Sequence, residues 1–179
     1  MTTPEPAPTP APPGPGPVHP VTAQSTLTPR VFDSVVSTVL DNNEGMTVSM
    51  ATRIVREAMA FIITGARRPD LAMAPSRLVD EGWHAFVLHT EAYAELCARE
   101  GVFVHHSPGF DPENFDPDIL EQTQAAVRAE GFAVDPELWR APTDDSLVSV
   151  AAKCQHAPSC SIKPMKKPEK PCKKPSKVA

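Results

Sequence analysis

A chain of 179 residues with a net charge of −5 is long enough for one modest core, but its residue types are unevenly distributed. Nine Pro fall within the first 20 residues, and eight Lys with five Pro fall within the last 27, so neither end has the apolar density of a core. Residues 1–152 carry nine Arg against 21 acids, a net of −12, while residues 153–179 net +7, and such an acidic body argues against nucleic acid as the main partner of the folded part.

The expected organisation is a Pro-rich arm over residues 1–25, a helical domain over 26–147 and a basic, Cys-bearing tail over 148–179. In the arm, proline fixes φ and removes amide donors, which favours extended, solvated chain over packed structure. Both ends are expected to be disordered.

Thr28-Pro29 opens the first helix, with Thr as N-cap and Pro at the first helical position. Val31, Phe32, Val35, Val36, Val39 and Leu40 form its apolar stripe, and the run from Asp41 to Gly45 stops it. Thr47 caps the second helix, in which Val48, Ala51, Ile54, Val55, Ala58, Met59, Ile62 and Ile63 recur at 3–4 spacing. Arg53, Arg56 and Glu57 fall on its other side, and Gly65 is expected to end it. A short connection between these two helices predicts a helical hairpin.

The third helix starts near Pro75 or Ser76 and carries Leu78, Trp83, His84, Val87 and Leu88. Its continuation from Thr90 turns Ala92, Tyr93, Leu96 and Cys97 inward, with His89 at a helix end facing solvent. The pattern leaves open one long helix or two with a bend at His89-Thr90. Gly101 ends this region, and Val102-Phe103-Val104 is short, β-branched and aromatic, hence extended. Asp116-Pro117 opens the last full helix, striped by Ile119, Leu120, Thr123, Ala126 and Val127 and ended by Gly131. Asp135-Pro136 begins a single turn carrying Leu138 and Trp139. With no long alternating run, the fold class is all-α: a compact bundle of four to five helices with one short extended segment.

Ser76 to Pro108 holds four of the six His, one of the two Trp, the only Tyr and the only Cys outside the tail. Asp80 and His84 lie one helical turn apart and project from the same face. His105-His106 follows after the break at Gly101. As a metal set, Asp80 and His84 are completed by His105 or His106, and imidazole with carboxylate suits zinc or iron. As a structural network, Asp80 orients His84, and His84 or Trp83 anchors the double-His segment. A third reading is acid–base catalysis by His84 with Asp80 orienting it. Cys97, amid Leu96 and Ala98, reads as a buried apolar filler, and as a nucleophile only with a depressed pKa. In the tail, Cys154, His156, Cys160 and Cys172 supply four soft ligands without a C-x2-C pair, so zinc binding competes with Cys modification and with an inert basic tail.

The string Val79-Asp80-Glu81-x-Trp83-His84-x-Phe86-x-Leu88-x-Thr90-x2-Tyr93-x3-Cys97, followed by Gly101-x-Phe103-x-His105-His106-x-Pro108, resembles the core of the glycine-rich domain-containing protein (GRDP-like) family. The resemblance is specific over about 33 residues and weaker from Thr28 to Leu138. It implies a helical domain and no established enzymatic activity, and plant members are associated with development and stress responses. With eight Gly in total, this chain has no glycine-rich region. The Ala-, Arg- and Pro-rich body points to a high-GC bacterium.

The leading expectation is a non-enzymatic helical interaction or scaffold module, with a protein partner and a buried Asp/His network anchoring a loop. The alternatives are a small metal-dependent or His/Cys-based enzyme, and a carrier of a modifiable Cys-bearing peptide. No run of about 18 apolar residues exists, so no membrane span is expected. Without a basic-then-apolar leader, and with few Cys outside the tail, the expected location is cytoplasmic.

Overall fold

A computed structural model describes residues 23–108, 116–140 and 160–161. Most of the Pro-rich arm, and Cys154, His156 and Cys172 of the tail, lie outside the described residues. The described part is all-α, with five α-helices: α1 (Pro29–Asn42), α2 (Val48–Arg67), α3 (Arg77–Val87), α4 (Thr90–Glu100) and α5 (Ile119–Ala129). A 3-10 turn at Ala23–Thr26 precedes them and crosses the boundary expected at residue 25, with Ala23 buried.

The expected caps form. Thr28 accepts the Val31 amide at 3.4 Å, Thr47 the Met50 amide at 3.2 Å and Ser76 the Val79 amide at 3.2 Å, each satisfying a donor with no partner inside its own helix. The α5 start differs by two residues. Asp116 accepts the Asp118 amide at 2.9 Å in a turn that comes before the helix proper.

The centre of the fold is α2, which packs against α1, α3, α4 and α5. It runs through the expected stop at Gly65 to Arg67, because every residue from Glu57 to Ala66 is buried. A mid-helix glycine costs only about 1 kcal/mol relative to alanine, and packing on this scale overrides it. At Gly82, α3 crosses α2 so closely that a Cβ there would stand 2.8 Å from the Ala58 Cβ and 2.9 Å from the Ile54 carbonyl oxygen. Trp83 enters the core beside this crossing, its ring edge-on to Phe61 at 5.1 Å.

Three residues depart from the amphipathic reading: Glu57, Leu88 and Val48, the last 64% exposed at the first position of α2. Glu57 is buried within α2, not on its outer face, and accepts the Trp139 indole N–H at 2.7 Å and the Asp135 amide at 3.0 Å. Burial pushes its carboxyl above the ordinary glutamate value, the indole and amide bonds opposing that shift. Leu88 is 69% exposed, because α3 ends at Val87 and the stripe no longer applies.

The region after Trp83 resolves into two helices. His89 is the N-terminal cap residue of α4 but makes no side-chain cap bond. Its Nε2 lies 3.0 Å from the Thr38 hydroxyl of α1, and the residue is half-buried at the edge of a surface groove.

Candidate functional site

The site is built where α3 meets the chain that follows α4. Ser76 fixes the start of α3 by capping Val79 and donating to the Leu138 carbonyl at 2.5 Å. Asp80 then falls in the first turn of α3 and is buried, with 1% exposure. One turn on, His84 presents a side chain that is 38% exposed.

The returning segment is held by backbone and side-chain bonds. Gly101 lets the chain pass under the end of α2: a Cβ there would lie 2.2 Å from the Ala66 carbonyl oxygen. That same oxygen accepts the Val102 amide at 3.1 Å. Tyr93 of α4 donates to the Val104 carbonyl at 2.6 Å and accepts the Trp83 indole N–H at 2.9 Å. His106 is thereby delivered to α3, with its ring 4.4 Å from Trp83 and 4.4 Å from His84.

Three side chains converge. The His106 Nε2 lies 3.1 Å from the Asp80 Oδ1, and the His84 Nδ1 lies 3.4 Å from the Asp80 Oδ2. The first contact has hydrogen-bond geometry. The second is close enough for an ion pair but not aligned as a hydrogen bond, so Asp80 Oδ2 is buried without a hydrogen-bond partner among the described residues. One potential ligand atom from each of Asp80, His84 and His106 lies within 4.8 Å of the others. The groove of about 310 Å³ at the starts of α1 and α4, lined by Arg30, Ser34, His89 and Thr90 among others, shares no residue with this cluster.

The sequence candidates therefore separate. Asp80, His84 and His106 meet. His105 does not join them: it is exposed, with its ring 4.8 Å from Phe103, because successive side chains of an extended segment point to opposite sides. Cys97 is fully buried, and burial pushes its thiol above the ordinary value, surroundings that suit an apolar filler better than an activated thiol. Of the tail candidates only the Cys160 backbone is described, in a two-residue antiparallel bridge that sets Cys160 opposite Pro108 and Ser161 opposite Ser107.

Sequence reasoning missed the roles of Tyr93 and Glu57. Tyr93 fits the inward stripe of α4, and its hydroxyl is also the link between α3 and the segment after α4. A tyrosine in place of phenylalanine at a core position was the available signal, since a buried hydroxyl needs a partner. Glu57 gave no such signal, because its partners lie 78 and 82 positions further on.

Compared with known families, residues 24–126, more than half of the chain, match the family described as UCP032817-like, and the match includes α1 to α4 and all three converging residues. No curated protein and no solved structure matches the chain.

Proposed function

The chain belongs to the UCP032817-like family, and from the pinned segment after α4 we infer a non-enzymatic helical interaction module that presents Phe103 to a protein partner. One observation carries the reading. Phe103 is 41% exposed, yet the backbone is tied on either side of it, at the Val102 amide and the Val104 carbonyl. Its ring also rests edge-on against Tyr93 at 5.4 Å. An aromatic held in one pose before binding has little ordering entropy left to lose, which favours it as an interface anchor. The GRDP-like resemblance of the central stretch is part of this reading and adds no activity to it.

The test is affinity capture from the source cell with the full chain and with Phe103→Ser. A partner held by the wild type and lost from an equally stable variant supports the reading. Identical capture profiles overturn it.

The enzymatic alternative draws support from the convergence of Asp80, His84 and His106, while the raised thiol of Cys97 weighs against its cysteine form. The carrier alternative draws support from the Pro108–Cys160 pairing, which returns the tail to the segment that carries His106. Mass analysis of the tail from native cells tests it: unmodified Cys154, Cys160 and Cys172 would sink it.

A further inference from the structure

We propose that Asp80, His84 and His106 bind one divalent transition-metal cation of the zinc or ferrous class. One carboxylate oxygen of Asp80 is unpartnered among the described residues. Asp80 is 1% exposed, and its Oδ1 is satisfied by His106 while its Oδ2 is not satisfied by His84. A purely structural network at this depth leaves few such atoms, because an unpaired buried oxygen costs more than a hydrogen bond gains. A cation between the carboxylate and the two imidazoles satisfies it.

The spacing fits a coordination sphere. With bonds of about 2.0–2.1 Å, neighbouring ligand atoms around a tetrahedral ion stand roughly 3.3 Å apart. His106 stands 3.1 Å from Oδ1 of Asp80 and His84 3.4 Å from Oδ2, one imidazole at each carboxylate oxygen, and with one ligand atom taken from each residue no pair exceeds 4.8 Å. His84 is partly exposed, while the His106 ring packs against Trp83.

The donor set selects the metal class. Two imidazole nitrogens and one carboxylate suit zinc or ferrous iron, whereas calcium and magnesium take oxygen ligands. Three protein ligands leave at least one coordination position open, and the partly exposed His84 marks the side on which water or a further ligand reaches it. The ion would join α3 to the segment after α4, two pieces of chain that are separate in sequence. None of this rests on the interaction reading of Phe103.

The full-length chain, produced without a polyhistidine tag and stripped with chelator, is titrated with zinc sulfate. One equivalent should bind to the wild type, to His105→Ala and to the triple variant Cys154→Ser, Cys160→Ser, Cys172→Ser. Affinity should fall at least about 100-fold in His84→Ala and in His106→Ala, since even an outer-shell change costs about 10–100-fold. Cobalt substitution should give ligand-field bands without a thiolate charge-transfer band. His84→Ala truncates a partly exposed side chain, so it decides the matter if His106→Ala does not fold. Absence of stoichiometric zinc from the wild type overturns the proposal. So does retention of zinc by His84→Ala, or its loss in the triple Ser variant. Phe103→Ser should leave zinc binding unchanged, which separates this result from the partner test.

Discussion

The Tyr93 hydroxyl stands 2.9 Å from the Trp83 indole nitrogen and 2.6 Å from the Val104 carbonyl oxygen, so one side chain of α4 joins α3 to the extended segment. Burial pushes the phenol above its ordinary pKa and keeps it a donor. Tyr93→Phe preserves the ring and removes the hydroxyl. It leaves a buried indole N–H and a buried carbonyl each without this partner, at about 1–3 kcal/mol apiece. The expected loss is about 2–4 kcal/mol by urea unfolding, with faster amide exchange over residues 102–106. Unchanged exchange there would show that the segment is held by something else.

Glu57 sets a pH dependence whose sign follows from its raised pKa. In the unfolded chain its carboxyl titrates near the ordinary 4.5, whereas in the fold it keeps its proton to higher pH. Between those two values the native state holds more protons, so stability from this group falls as pH rises through the window. Below the unfolded value both states are protonated and the penalty is absent. Glu57→Gln should abolish that slope while costing about 1–3 kcal/mol, because one amide oxygen replaces two carboxylate oxygens facing the Trp139 and Asp135 donors. The measurement is the difference between wild-type and variant unfolding free energies from about pH 4 to about pH 8. A difference that does not change with pH would remove Glu57 as the titrating group.

What the sequence disclosed and what it withheld divide along local and distant interactions. Thr28-Pro29, Thr47 and Ser76 carry their cap chemistry in their own neighbourhood, and all three helix starts were legible. Asp80 and His84 share a helix face by periodicity alone, and the return of a histidine to them was readable from the break at Gly101. Which histidine returns was not, because the choice between His105 and His106 depends on how Tyr93 and Ala66 fix the segment. The Thr38 contact of half-buried His89 was hidden for the same reason: the two residues lie 51 positions apart. Glu57 failed twice over, since its face of α2 looks polar and its partners come from the turn after α5. Gly65 misled because a local breaker was weighed without the packing on every side of it.

The crossing of α2 and α3 at Gly82 is tight enough to be tested by one methyl group. Alanine there would place its Cβ 2.8 Å from the Ala58 Cβ and 2.9 Å from the Ile54 carbonyl oxygen. The second neighbour is backbone within α2 and has little freedom to retreat. Alanine gains about 1 kcal/mol in helix propensity over glycine, but overpacking a well-packed core costs about 1–3 kcal/mol. The helices must also part, which disturbs Trp83 and Phe61 beside the crossing. Gly82→Ala should therefore lower stability by about 1–2 kcal/mol and weaken any zinc affinity through Asp80 and His84. A variant more stable than the wild type would mean that the crossing has slack.

Cys97 should behave as an inert filler. Its thiol is fully buried, and burial raises its pKa against the smaller opposing effect of bonds with the Val104 backbone and Tyr93. The thiolate is the reactive form, so both access and ionisation work against alkylation. The clean measurement uses the chain with Cys154, Cys160 and Cys172 replaced by Ser, leaving Cys97 as the only thiol. Iodoacetamide at neutral pH should label it at least about 10³-fold more slowly in the native protein than in urea, the lower end of the folding equilibria of small domains. Tyr93→Phe should narrow that gap by loosening the neighbouring segment. Native labelling at the rate of a free thiol would restore Cys97 as a candidate nucleophile and place an open path to it beneath Val104.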